Sequence, residues 1–335
     1  RSTMQSAISA PQVGGIVRLT KFILRGTFLV EAIGAILLLP VFCHDFGRRG
    51  IWMSIFHSVS AFCNAGFDIL GTEGHRFVSL SGYGDNIWLN MVIMLLIIIG
   101  GIGFLTWEDF YENKLNFRRY RMQSKVILIT TALLIILPAI LFFANDFGEF
   151  LFKKRLLYSI FQSVTTRTAG FNTADLPLMT ESGKAVMILL MLIGGSPSST
   201  AGGMKTTTFA VLILNAFATF RSREDAGAFG RRFDVQVIKN AATIAMLYLM
   251  LFFGGGIIIS AYEGLPVLTC FYEAASAIGT VGLTLGVTPD LHIISRLILI
   301  VLMYLGRVGG LTLIYAVFSG KHNNARMPME KITVG

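Results

Sequence analysis

Long apolar runs fall near residues 22–43, 86–107, 125–144, 184–217, 237–262 and 293–318. Each reaches the ~20 residues that a helix needs to cross a bilayer. Shorter apolar stretches separate the first from the second, the third from the fourth and the fifth from the sixth. They cover residues 51–63, 155–166 and 266–279. At 12 to 14 residues they are too short to span a bilayer and long enough for re-entrant helices. Each ends in a glycine turn: Asn64-Ala65-Gly66-Phe67, Thr168-Ala169-Gly170-Phe171 and Thr280-Val281-Gly282-Leu283. The order long helix, short helix, turn, long helix thus occurs three times.

The turn glycines are 104 and 112 residues apart. A repeated signature at a near-fixed period is an internal repeat. The approach segments agree, because Ser54-Ile55-Phe56-His57-Ser58-Val59 matches Ser159-Ile160-Phe161-Gln162-Ser163-Val164. The match is offset by one residue: Phe56 precedes its glycine by ten positions and Phe161 by nine.

Composition supports a membrane setting. Of 335 residues, 54% are hydrophobic and 14% charged, against about 25% charged in soluble domains. Mean hydropathy is +0.68. This excludes disorder, collagen and a small disulfide scaffold. Cys43, Cys63 and Cys270 are too scattered for a disulfide framework or a metal site. The net charge of +9 is explained by basic linkers rather than nucleic acid. Arg118, Arg119, Arg121, Lys125, Arg221, Arg223, Arg231 and Arg232 lie between repeats, which places those linkers, the 1–21 flank and the 319–335 tail in the cytoplasm. Lys153, Lys154 and Arg155 fall on the opposite side. The basic linkers also suit anionic lipid or a soluble partner. Enzyme motifs of the zinc-protease, P-loop, nucleophile-elbow and dinucleotide types are missing from the sequence.

An ion leaving water needs its hydration shell replaced, and backbone carbonyls exposed in a glycine turn can do this. Non-helical backbone at membrane depth is tolerated only when buried in protein or lining a water-filled cavity. Thr280-Val281-Gly282 matches the start of the potassium-channel sequence TVGYG. The blander reading is that the three glycines only close tight turns.

Gly194-Gly195-Ser196-Pro197-Ser198-Ser199-Thr200-Ala201-Gly202-Gly203 interrupts an apolar stretch from Lys184 to Phe220. As one helix its 37 residues would extend about 55 Å, well beyond a ~30 Å core. Glycine and proline break the helix, and Ser and Thr can satisfy the freed backbone groups. An ordinary kink, an extra-membrane loop and a flexible intramembrane loop all fit. Arg307 interrupts another apolar run. A charge there costs at least ~2.5 kcal/mol, so it faces the protein interior or snorkels to an interface. Lys205 is read first as a cytoplasm-facing snorkeler. Glu31 is paired or lines a crevice. Asp68 is a loop acid, and His57 and Glu273 make packing hydrogen bonds.

Five segments resemble the Trk/Ktr/HKT superfamily of potassium transporters, and bacterial Ktr/Trk membrane subunits in particular. They are Phe56–Phe67, Thr166–Thr173, Ala277–Leu283, Gly194–Lys205 and Gly306–Gly310. The resemblance implies an all-α integral membrane protein of four helix–re-entrant pore helix–filter loop–helix units around a pseudo-fourfold pore. Residues 22–107, 125–220 and 237–318 would be the second, third and fourth units. A first unit would precede Arg1, giving a chain of roughly 445 residues or more. The resemblance further implies that the carbonyls of Asn64, Ala65, Gly66, Thr168, Ala169, Gly170, Thr280, Val281 and Gly282 line a K⁺ filter. Residues Gly194–Gly203 would be the gate, with Arg307 as a barrier or partner of that loop and Lys205 at its end. The implied setting is a homodimer in the plasma membrane under a cytosolic nucleotide-binding ring subunit. No organic cofactor is expected, and K⁺ is cargo. Sodium selectivity, a small-solute carrier built on broken helices and a scaffold for a cytosolic partner are the alternatives.

Overall fold

A computed structural model describes residues 16–72 and 77–309. The first described unit begins with α1, Ile16–Phe46, followed by the short α2, Arg49–Phe62. After the glycine turn come α3, Ile87–Gly101, and α4, Phe104–Asn113. The next unit is α5, Met122–Asn145, then short α6, Phe152–Thr165, then α7, Glu181–Leu192, and α8, Thr206–Phe220. The last is α9, Val235–Glu263, then α10, Val267–Ile278, and α11, Ile293–Val308. A two-residue antiparallel hairpin, Gly227–Ala228 with Arg231–Arg232, joins α8 to α9. The fold is all-α. Residues 1–15 of the flank, the 319–335 tail, Gly310 and the end of the run to 318 lie outside the described residues.

Three helices, α1, α5 and α9, are each long and apolar enough to cross a membrane alone. Their outer faces are apolar and exposed: Phe28 and Ile36 on α1, Ile136 and Ile140 on α5, Met250 and Ile257 on α9. The short helices do the reverse. Buried positions include Ser54, His57, Ser58 and Ser60 on α2, Ser159, Gln162, Ser163 and Thr165 on α6, and Glu273 and Ser276 on α10. Buried polar groups are the informative observation, and here they lie on the helices that end at the glycine turns. In each unit the long first helix packs along the short one, and the units meet through α3 with α6 and α7 with α10. This is a multi-pass membrane protein.

The structure corrects one sequence expectation. The run 86–107 is not one straight helix. It breaks at Ile102, and α3 and α4 meet at 96°. Gly103 sits there at φ +92° and ψ 140°. Helix α11 ends at Val308, and Gly309 after it has φ +88° and ψ 140°. Hydropathy could not show the break at Ile102, because the interrupting residues are themselves apolar or glycine.

Candidate functional site

The three glycine turns share one backbone pattern. The first residue of each is left-handed: Asn64 at φ +50°, Thr168 at +71° and Thr280 at +54°. So is the glycine two residues on: Gly66 at +69°, Gly170 at +84° and Gly282 at +91°. A β-branched threonine in this region is a genuine outlier. Two of them at equivalent positions mark a shape maintained against about 1–3 kcal/mol of strain each. The amide between them donates back to the end of the short helix: Ala65 to the Ser60 carbonyl (2.9 Å), Ala169 to Thr165 (3.0 Å) and Val281 to Ser276 (2.8 Å).

A hydroxyl on that same helix residue braces each turn. Ser60 Oγ donates to the Phe67 carbonyl at 2.8 Å, and Thr165 Oγ1 to the Phe171 carbonyl at 2.6 Å. Ser276 Oγ accepts from the Gly282 amide at 3.1 Å. These braces were not singled out from the sequence. Their signal is a hydroxyl six, five and six residues before the glycine. The shorter spacing in the middle unit accounts for the offset between Phe56 and Phe161.

The turns are in contact with one another. A Cβ built on Gly66 would lie 2.4 Å from the Ala169 carbonyl oxygen, and one on Gly170 would lie 2.0 Å from that of Val281. Real Cβ atoms essentially never approach below 3.0 Å, so only glycine admits this spacing.

The interrupting segment 193–205 lies against these turns. Thr200 Oγ1 donates to the Phe62 carbonyl (3.0 Å) and accepts from Asn64 Nδ2 (2.8 Å). A Cβ on Gly202 would lie 2.0 Å from Thr280 Oγ1. The segment is also stitched to the break after α3: the amides of Ser196 and Thr200 donate to the carbonyls of Gly101 (3.0 Å) and Gly100 (3.3 Å), and Phe104 donates to the Ser198 carbonyl (2.6 Å). Within it, Ser199 Oγ donates to the Ser196 carbonyl (2.6 Å), Ala201 N donates to Ser199 Oγ (3.2 Å), and Ser196 and Thr206 share a hydroxyl contact at 3.1 Å. Residues 194–196 and 201–203 are buried. A buried loop must find partners for its backbone groups, and several of them here are its own hydroxyls and the ends of neighbouring helices.

Arg307, in the last turn of α11, donates from Nη1 to the Thr200 carbonyl at 2.9 Å. Lys205 turns back so that Nζ donates to the Ala201 carbonyl at 2.7 Å. The ammonium is thus held within the loop, by a carbonyl that the broken helix leaves free. Both cations hold carbonyls of one loop. The α3 and α11 ends match here. A Cβ on Gly100 would lie 2.0 Å from the Phe62 carbonyl oxygen, and one on Gly306 would lie 2.0 Å from that of Ile278. Two of the three short helices, α2 and α10, thus end against a glycine of the following long helix.

Arg167 was not singled out from the sequence. It is 8% exposed; Nη2 lies 3.4 Å from Thr131 Oγ1, and Nε has no partner among the described residues. It borders a small cavity with Gly101 and Gly195. The remaining candidates are in packing roles. Glu273 accepts from Thr284 Oγ1 (2.7 Å), the Leu285 amide (2.9 Å) and Thr288 Oγ1 (2.6 Å). His57 Nδ1 meets the Met53 carbonyl at 2.7 Å, and its ring stacks on Phe42. Asp68 caps its own turn by accepting from the Leu70 amide at 3.0 Å. Glu31 lies 3.8 Å from Cys63 Sγ. Among the described residues no cluster of His, Cys, Asp and Glu could hold a metal.

Residues 2–325 match the family model described as TrkH, cation transport protein. The chain is 38% identical over 348 residues to the potassium/sodium uptake protein NtpJ of Enterococcus hirae, covering 100% of this chain and 76% of that one. It is 33% identical over 342 residues to Ktr system potassium uptake protein B of Bacillus subtilis, covering 100% and 75%. The crystal structure of the potassium transporter TrkH from Vibrio parahaemolyticus superposes with a TM-score of 0.74 at 18% identity, covering 94% of this chain and 68% of that one. That likeness is one of fold. With three matched turns and a loop packed against them, the chain belongs to the TrkH family of cation transport proteins.

Proposed function

We propose that this chain is a pore-forming subunit for potassium uptake across the plasma membrane. The observation that carries the reading is the set of three adjoining turns with the same left-handed residues two positions apart. Left-handed residues on either side of the middle one take the turn out of the helical pattern and free its carbonyls from helix hydrogen bonds, which is what a carbonyl-lined ion path requires. Residues Asn64–Gly66, Thr168–Gly170 and Thr280–Gly282 are the filter strands, and the fixed hydroxyl braces hold their shape as the ion passes. Each strand belongs to one of the units 22–107, 125–220 and 237–318, and a fourth unit would complete the ring.

Gly194–Gly203 is the gate. Its contacts with Asn64, Thr280 and Arg307 describe a loop docked against the filter, and its withdrawal would open the path. Arg307 and Lys205 hold that docked state and place positive charge beside the path. The chain transports K⁺ and catalyses no covalent step. A homodimer with a cytosolic nucleotide-binding ring subunit fits the basic inter-repeat surface. Lys125 lies over the rings of Phe117 (5.9 Å) and Phe229 (5.5 Å), which brings Arg118, Arg119 and Arg121 near Arg231 and Arg232. That surface also suits anionic lipid headgroups.

Expression in cells lacking their own potassium uptake tests the reading. Growth at low K⁺ and Rb⁺ uptake competed by K⁺ are expected; Na⁺ flux equal to or above K⁺ flux would sink potassium selectivity. Mixed K⁺ and Na⁺ passage is the second reading, favoured by the name of the Enterococcus relative, and the same competition separates the two.

A further inference from the structure

Thr200 is a junction of the three described units. Its amide donates to Gly100 of the first, and its carbonyl accepts from Arg307 of the last. Its hydroxyl donates to the Phe62 carbonyl and accepts from Asn64 Nδ2. The last of these bonds differs in kind, because it joins the loop to the side chain of a turn residue. Asn64 is 5% exposed, and its Oδ1 has no partner among the described residues. Among the described residues its amide group is therefore held by Thr200 alone. Thr168 and Thr280 occupy the same place in the other turns with shorter side chains, and Thr168 Oγ1 has no partner among the described residues.

We propose that Asn64 couples the loop to ion preference: its bond to Thr200 keeps the second-unit turn in its ion-coordinating shape only while the loop is docked. The proposal rests on the reading of the turns as filter and the loop as gate. Withdrawal of the loop takes away the bond from Thr200 and opens the amide to the water-filled path, so its hydrogen-bond partners must change. Asn64 must then reorient. Its backbone is already in a sparsely populated region, so the side chain and the turn move together. Opening the gate would thereby change which ion the second strand accepts as well as how fast ions pass. Asn64 and Thr200 act as positioning residues for the carbonyls.

The test is Rb⁺ and Na⁺ uptake by the full-length protein in lipid vesicles. The variants are Thr200→Val, Thr200→Ser, Asn64→Thr and the double variant Asn64→Thr/Thr200→Val. Thr200→Val, of matched shape without a hydroxyl, is expected to raise uptake and to lower the Rb⁺/Na⁺ ratio at least about threefold. Thr200→Ser, which keeps the hydroxyl, should restore the ratio. In the Asn64→Thr background, Thr200→Val should no longer change it, which is the non-additivity of a coupled pair. Raised uptake with an unchanged ratio, or additive effects in the cycle, would overturn the coupling and leave the gate reading intact. Wild-type vesicles that pass neither ion would sink the pore reading and the coupling with it. If Thr200→Val fails to fold, Arg307→Gln frees the same loop without touching Asn64. A fall in the ratio supports the coupling, and an unchanged ratio with raised uptake overturns it.

Discussion

Gly170→Ala is the sharpest probe of the proposal that the glycine turns line the ion path. Two costs arise at this position. An L-residue at φ +84° is disfavoured by about 1–2 kcal/mol. The new methyl would also lie 2.0 Å from the Val281 carbonyl oxygen, where 3.0 Å is the closest that real Cβ atoms reach. One of the two turns must therefore yield by about 1 Å. Contacts to a charged partner are worth roughly 1.5–3 kcal/mol, and each ~1.4 kcal/mol at a barrier is tenfold in rate. Losing one carbonyl contact to the ion thus lowers flux about ten- to a hundredfold. Gly230→Ala is the control. Gly230 sits at φ +75° in the hairpin between α8 and α9, and a Cβ there meets nothing within 4 Å. It carries a similar conformational cost away from the path. The assay is initial Rb⁺ uptake normalised to protein in the membrane. Wild-type uptake by Gly170→Ala would refute the assignment of this turn to the ion path. An equal loss in Gly230→Ala would show that the effect is one of folding.

Arg307→Gln removes the guanidinium bond to the Thr200 carbonyl and is expected to raise Rb⁺ uptake severalfold; unchanged or slower uptake counts against a gate held by this residue. Thr165→Val deletes the brace on the Phe171 carbonyl and should weaken discrimination between K⁺ and Na⁺ in competition assays, with Thr165→Ser retaining it; equal selectivity in both would reduce the brace to packing. Glu273→Gln replaces a carboxylate that accepts three bonds by an amide whose nitrogen cannot accept. The expected loss is about 1–3 kcal/mol, read as a lower Tm in detergent and earlier proteolysis near residues 284–288; an unaltered Tm contradicts the packing role.

Much of this protein is written locally. The apolar runs mark the long helices because lipid rewards them residue by residue. The turns at Gly66, Gly170 and Gly282 are legible because glycine is the residue that enters left-handed backbone without strain. The interruption at Gly194–Gly203 is equally plain, since glycine and proline end helices wherever they cluster. The break at Ile102 is not legible, because Gly100, Gly101 and Gly103 lie inside an apolar run that hydropathy reads as continuous. Only the packing of Gly100 against the Phe62 carbonyl and of Gly103 against Pro197 shows why the chain bends there. The braces at Ser60, Thr165 and Ser276 look like ordinary helix hydroxyls until the turn folds back over them. Arg167, beside its glycine turn in sequence, shows its burial only when α5 and α6 pack. Thr200 is one residue among ten in a flexible-looking stretch. Its bonds to Phe62 and Arg307 cross 138 and 107 residues of sequence, distances over which no periodicity carries information. Apart from the break at Ile102, the helices and the position of each turn are legible along the chain, since these depend on local conformation and transfer to lipid. Which carbonyl each polar side chain meets follows from tertiary packing, because the partners come from helices and turns far apart along the chain.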